Sequence, residues 1–229
     1  MRNLLIILFV IVLFAISIVQ SADGDAVQRE HVFILVDLSD SALHVNNELF
    51  ARKAAQYIGS IIDGLPLGST VELRTFGDYN RSLNILSFSF MLSRKKGQRP
   101  ADIKRNIELF VGNLSKLINY GKLVLQETTS IIGELKIIAE RINKASKTKI
   151  IILSDMLEYS AEANCYKLIK SKNGRLPEVT EKIFENLDVI ALGAGYGCQN
   201  STENDRLKAM WIAWFEKAGA KEFRYLSDF

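Results

Sequence analysis

The chain has 229 residues, of which 29 are Lys or Arg and 26 are Asp or Glu, so its formal net charge is only +3. This near balance supplies no strongly basic face, and the composition therefore excludes an obvious nucleic-acid partner. Only three prolines are present and no low-complexity tract interrupts the chain, which argues against a long disordered tail or linker.

The N-terminal segment, MRNLLIILFVIVLFAISIVQSADGD, is typical of an export signal, because one arginine precedes an apolar run over residues 4–19 that only Ser17 interrupts. The run lies between the length of a signal-peptide core, about 7–15 residues, and that of a spanning helix, at least about 17. We therefore predict a signal peptide or N-terminal membrane anchor over residues 1–23. Residues 24–229 are predicted to form one extracytoplasmic domain, which is secreted, periplasmic or held at the membrane by residues 4–19.

Outside the cytoplasm disulfides persist, and the chain has two cysteines, Cys165 and Cys198. One disulfide between them is expected, with two free thiols as the alternative. Neither a Cys-x-x-Cys motif nor a Cys/His cluster is present, so no structural zinc is predicted.

Strands and helices alternate along the remaining sequence. HVFILVD, residues 31–37, is a short apolar run typical of a parallel strand buried on both faces. A helix is predicted over residues 46–65, where apolar residues recur at helical spacing up to Gly64. Residues 69–77 and 82–92 are rich in strand-forming residues, and the short turn at Asp78, Tyr79 and Asn80 predicts that they form an antiparallel hairpin.

The second half continues the alternation. The patterns predict helices at 101–119, from about Ser130, at 176–187 and at 203–220, with strands at 147–156, 188–195 and 222–229. The helix at 203–220 carries one large apolar face, whose spacing is that of a helix packed on a sheet rather than of a cofactor site. That face consists of Leu207, Met210, Trp211, Trp214 and Phe215.

This order predicts an α/β fold: a Rossmann-like, doubly wound, mostly parallel six-stranded sheet with one antiparallel edge strand and helices on both faces. If the strands at residues 32 and 149 are neighbours, they flank the point where the winding reverses. Ligands bind there, outside the carboxyl ends of the strands. Asp37 and Asp155 stand at those two ends.

Two facing carboxylates repel each other unless a cation lies between them. Ser39 and Ser41 add hydroxyl oxygens on the loop that leaves the first strand, and Thr129 can add a third before the next helix. Oxygen ligands favour a hard ion, so we predict Mg²⁺, with Mn²⁺ or Ca²⁺ as alternatives.

The DLSDS motif at residues 37–41, a threonine opening a helix, and the ILSD motif ending at Asp155 together resemble the metal-ion-dependent adhesion site of von Willebrand factor type A (VWA) domains. The resemblance runs from about residue 29 to the C-terminus. It implies a binding module rather than an enzyme, in which an acidic side chain of a protein partner completes the metal shell. The ligands that it implies, directly or through water, are Asp37, Ser39, Ser41, Thr129 and Asp155.

The sequence departs from the family pattern in three places. Thr128 stands beside Thr129 and remains an alternative ligand. GKLVLQE, residues 121–127, replaces the usual glycine-rich lead into this loop, and Met156 follows Asp155 where the family commonly has glycine.

Two other functions remain open. One is a metal-dependent phosphohydrolase with Asp37 as nucleophile, although haloacid-dehalogenase-like enzymes carry a second aspartate where Ser39 stands. The other is a structural module with a vestigial site. GAGYG, residues 193–197, is not a dinucleotide fingerprint, because Cys198 occupies the position of its last glycine.

Overall fold

A computed structural model describes residues 28–78, 86–142, 146–185 and 187–229. The predicted export segment and the turn residues Tyr79 and Asn80 lie outside these ranges. Within them, no helix is both long and apolar enough to cross a membrane.

The strands form one six-stranded sheet in the order β3-β2-β1-β4-β5-β6. All neighbouring strands are parallel except β2 and β3, which pair antiparallel. This is a Rossmann-like order with its reversal between β1 and β4, and it confirms the predicted fold class and hairpin. The strands are β1 (Glu30–Asp37), β2 (Thr70–Phe76), β3 (Ser87–Met91), β4 (Lys147–Leu153), β5 (Asp188–Leu192) and β6 (Glu222–Leu226).

Helices cover both faces of the sheet. They are α1 (Leu43–Asn46), α2 (Glu48–Asp63), α3 (Pro100–Gly112), α4 (Leu114–Asn119), α5 (Ile131–Arg141), α6 (Cys165–Leu168) and α7 (Ser201–Lys217). Alternate residues of β1 point into two separate cores. Val32 and Ile34 pack with α2, α3 and α4, whereas Phe33 and Leu35 pack with α5 and α7. The aromatic face of α7 lies in this second core, as predicted.

Two predicted helices need correction. The helix expected over residues 101–119 is divided at Asn113, whose φ of −116° and ψ of 16° are not helical. The Asn113 side chain donates a 2.7 Å hydrogen bond to the Leu109 carbonyl. Side chains of this type compete with the helical hydrogen bonds of the backbone, and here the break turns Leu114 into the core.

The helix expected over residues 176–187 was wrong, because the described part of this segment is irregular. Its helical spacing reflects anchoring to the core at intervals, with Leu176 and Phe184 both buried. The Phe184 N–H donates to the Ala218 carbonyl at 2.8 Å rather than to a carbonyl of its own turn. Pro177 also removes one backbone donor from this stretch.

The expected disulfide is absent from the structure, in which Cys165 and Cys198 are both free thiols. Burial raises the pKa of Cys165 to about 12 and that of Cys198 to about 11. The thiolate is the form that attacks a disulfide or binds a metal, so the raised pKa values lower the reactive fraction of both cysteines.

Candidate metal centre

The site lies at the carboxyl ends of β1 and β4. These strands are parallel neighbours, with Val36 opposite Leu153. Asp37 is therefore the last residue of β1, and Asp155 follows the end of β4 by two residues. The sheet order thus brings together two acids that lie more than a hundred positions apart in the sequence.

Asp37 is completely buried and is held by three donors. Its Oδ1 accepts hydrogen bonds from the Ser39 N–H at 2.8 Å and from the Thr129 hydroxyl at 3.1 Å. Its Oδ2 accepts one from the Ser154 hydroxyl at 2.6 Å. Burial raises the pKa of Asp37, while these hydrogen bonds favour the charged form and oppose the rise.

Asp155 has only one of its oxygens satisfied. Oδ1 accepts a 2.9 Å hydrogen bond from the Leu157 N–H, whereas the buried Oδ2 has no hydrogen-bond partner among the described residues. Burial and the nearby Asp37 carboxylate raise the pKa of Asp155 to about 7, and the hydrogen bond from the Leu157 N–H opposes this rise. A buried acceptor without a donor destabilises the folded state, so a donor or a cation bound to this oxygen would stabilise it.

The two serines lie together on the loop after β1, with 3.4 Å between their hydroxyl oxygens. Backbone hydrogen bonds hold this loop against the segment around Gln126. The Asp40 N–H donates to the Gln126 carbonyl, and the Gln126 N–H donates to the Leu38 carbonyl, at 3.2 and 2.9 Å. The end of GKLVLQE therefore fixes this loop through backbone hydrogen bonds at Gln126.

Of the two adjacent threonines, Thr129 is the one that reaches Asp37. Its N–H and carbonyl form two hydrogen bonds with Tyr159, at 3.1 and 3.0 Å, which fix it against the loop after β4. Thr128 instead lines a neighbouring cavity. The structure thus brings together all five residues that the sequence singled out.

Three residues that support the site were missed from the sequence. Ser154 bonds Asp37 directly, and its place between a strand end and Asp155 was the available signal. His44 is buried and donates from Nε2 to the Asp37 carbonyl at 2.6 Å. Burial lowers its pKa to about 4, so it is neutral at pH 7. Glu158 accepts the Ile132 N–H at 3.0 Å and so secures the start of α5.

The glycines of GAGYG, residues 193–197, allow other side chains, including that of Asp155, to pack closely against this loop. Gly195 has a φ of +79°, and a Cβ placed there would lie 1.8 Å from the Asn204 Oδ1. At Gly197 a Cβ would lie 2.9 Å from the Asp155 Oδ2 and 2.5 Å from a Leu157 methyl carbon. The motif therefore serves close packing around a carboxylate.

We expect Gly197→Ala to weaken Mg²⁺ binding about tenfold, because the added methyl displaces Asp155 and changes at groups supporting a metal ligand commonly have effects of this size. Calorimetric Mg²⁺ titration measures the change. Gly64→Ala is the matched control, since its Cβ would make only an ordinary 3.6 Å contact, far from the site. Equal affinities for all three proteins would contradict the packing argument.

Met156, which follows Asp155, has an unusual backbone conformation. Its φ of 64° is the only positive value at a described residue other than glycine, and its buried carbonyl accepts the Trp211 Nε1–H at 2.7 Å. Glycine would relieve about 1–2 kcal/mol of backbone strain, but deleting a buried methionine side chain costs about 2–5 kcal/mol. Met156→Gly should therefore lower the free energy of unfolding in urea. A stabilised variant would show that backbone strain outweighs packing here.

The donor set fits a hard divalent cation. It consists of two carboxylates and three hydroxyls, and one carboxylate oxygen is buried and unsatisfied. The described residues contain no cluster of three or more His, Cys, Asp or Glu side chains that could hold a metal. A softer metal bound by nitrogen or sulfur therefore has no ligand set in this part of the chain.

No protein-family model matches the chain, and no curated protein matches it. Solved structures do match at low identity. Proximal thread matrix protein 1 from the mussel byssus is 16% identical, with 87% of this chain and 42% of that one covered and a TM-score of 0.47. The pilus adhesin SpaC from Lactobacillus rhamnosus GG, in its open conformation, is 12% identical, with 87% and 28% covered and a TM-score of 0.49.

The human COPII-coat protein Sec24c is 9% identical, with 88% of this chain and 30% of that one covered and a TM-score of 0.38. The chain spans less than half the length of each of these structures. Similarities at this level assign neither a family nor a function.

Proposed function

We propose that this chain is an exported, VWA-like protein-binding module that uses a divalent metal ion to engage an acidic side chain of its partner. Asp37, Ser39, Ser41, Thr129 and Asp155 would hold the ion. A bound Mg²⁺ would supply a Lewis-acid position that a carboxylate from another protein can occupy.

The observation that carries the proposal is the unsatisfied, buried Oδ2 of Asp155. It lies in a site with a second buried carboxylate, Asp37, and no cationic side chain bonds either of them in the described structure. A cation compensates both charges at once, whereas an uncompensated buried charge costs several kcal/mol. The resemblance of DLSDS, Thr129 and ILSD to an adhesion site supports the same reading.

Aromatic side chains surround the site and would contact the partner. Tyr159 and Tyr166 pack edge to face with ring centroids 6.1 Å apart. Burial raises the pKa of Tyr166, and a hydrogen bond with the Ser41 hydroxyl opposes this rise. Tyr196, in the GAGYG loop, is 58% exposed. Tyrosine is enriched at protein interfaces because it combines a large apolar ring with a polar end.

Calorimetric titration with Mg²⁺ and with Mn²⁺ tests the proposal. The full chain is used, in neutral detergent. We expect saturable binding to the wild-type protein and its loss in Asp37→Ala. Asp40→Asn is the matched control, because Asp40 is an exposed acid of the same loop, and it should keep the affinity. Absence of binding to the wild-type protein would refute the metal mechanism.

The metal-loaded protein then separates binding from catalysis. We expect it to retain acidic peptides on a column and to release them with EDTA, with no turnover of a phosphate ester such as p-nitrophenyl phosphate. Turnover that Asp37→Ala abolishes would favour the phosphohydrolase instead.

A further inference from the structure

A second cavity, of about 430 Å³, lies on the side of α7 and is separate from the metal centre in its lining residues. Its volume is in the range of small-molecule sites, about 300–1,000 Å³. The side chains of Leu176, Met210 and Trp214 form an apolar floor and are almost completely buried. The irregular segment over residues 176–185 begins in one wall of the cavity, which Leu176, Pro177 and Glu178 line.

The shape follows from the sequence of α7. Ala209 and Ala213 stand one turn apart and line the opening, and their small side chains leave a groove between the helix and residues 171–178. Arg206 and Lys217 stand near the two ends of this groove. They are eleven residues apart, which is about 16 Å along a helix at 1.5 Å per residue.

The rim is strongly basic. Lys172, Arg175, Arg206 and Lys217 line the cavity, against one acid, Glu178. Among the described residues none of these four cations forms an ion pair. Arg206 donates from Nη1 to the Ile169 carbonyl at 2.9 Å, which holds its guanidinium at the opening and leaves its other donors available.

We propose that this cavity binds a small amphipathic carboxylate, with the apolar body on Leu176, Met210 and Trp214 and the anionic head at the basic rim. An apolar floor and a cationic rim complement a ligand that is apolar at one end and anionic at the other. A neutral ligand would leave the cations unused, and an inorganic anion would leave the floor uncovered. This inference does not depend on the metal centre.

Equilibrium dialysis of radiolabelled octanoate tests the proposal, using the full chain in phosphatidylcholine nanodiscs with empty nanodiscs subtracted. We expect saturable octanoate binding, with octanol and octyltrimethylammonium at least about tenfold weaker, because neither compound can place an anionic head at the basic rim. Equal binding of the three compounds would overturn the proposal, as would an absence of saturable octanoate binding.

Two variants examine the two halves of the cavity. Ala213→Leu fills the groove without changing a charge, and because Ala213 is exposed the fold should tolerate it. Arg175→Glu with Lys217→Glu reverses the rim. Each should weaken octanoate binding at least about tenfold, whereas Lys208→Glu, an exposed charge of α7 outside the lining, should not. Unchanged affinity in Ala213→Leu would place octanoate elsewhere, and Asp37→Ala should bind it as the wild-type protein does.

Discussion

Asp155→Asn should be more stable than the wild-type protein without metal and should no longer respond to Mg²⁺. The wild-type side chain buries an unsatisfied oxygen beside a second carboxylate. Leaving such a group without a partner costs about 1–3 kcal/mol, more when it is charged. Asparagine removes the charge, and its Oδ1 can still accept the Leu157 N–H.

Urea unfolding at pH 8, with EDTA or with Mg²⁺, measures both effects. In EDTA we expect the variant to gain about 2 kcal/mol in the free energy of unfolding. At Mg²⁺ a hundredfold above its dissociation constant, the wild-type protein should gain about 2.7 kcal/mol and the variant nothing. Asp205→Asn, an exposed acid on α7, should behave as the wild type. A variant that is less stable in EDTA would contradict the account of repelling carboxylates.

Glu158→Gln should change how stability depends on pH. Burial raises the pKa of Glu158 from 4.5 to about 7. Below pH 4.5 the carboxyl is protonated in both the folded and the unfolded chain, so it has no effect on their balance. Between pH 4.5 and 7 the unfolded chain loses this proton first, so the folded state is progressively destabilised. The loss levels off above pH 7 at about 3 kcal/mol.

Glutamine keeps an acceptor for the Ile132 N–H and has no proton to lose. We therefore expect the wild-type and variant proteins to unfold alike at pH 4, and the variant to be about 2–3 kcal/mol more stable at pH 8. Urea titrations at several pH values measure the difference in the free energy of unfolding between the two proteins. The contributions of all other titrating groups are common to both proteins and cancel in this difference. Glu162→Gln, an exposed neighbour paired with Lys136, is the control. A constant difference at all pH values would rule out the titration of Glu158 as its cause.

The strands were the most predictable elements. HVFILVD contains the apolar run at residues 32–36, and KTKIIIL contains the apolar run at residues 150–153. Such runs are typical of strands covered on both faces, and the two segments became the central strands. Helix positions followed where apolar spacing and a terminator agreed, as at Gly64. They failed where tertiary contacts competed with the local pattern. At residues 176–187, burial of Leu176 and Phe184 and a hydrogen bond to Ala218 outweighed helix formation.

By itself, the sequence determined that Asp37 and Asp155 each follow a buried strand. Acids at the carboxyl ends of parallel strands lie along the same edge of the sheet. Only the tertiary structure decided between Thr128 and Thr129, since hydroxyl direction depends on the pairing of Thr129 with Tyr159. It also decided the role of Ser154, the space that Gly197 leaves for Asp155, and the cavity beside α7. Each of these is a contact between segments distant in sequence, and no local pattern encodes such a contact.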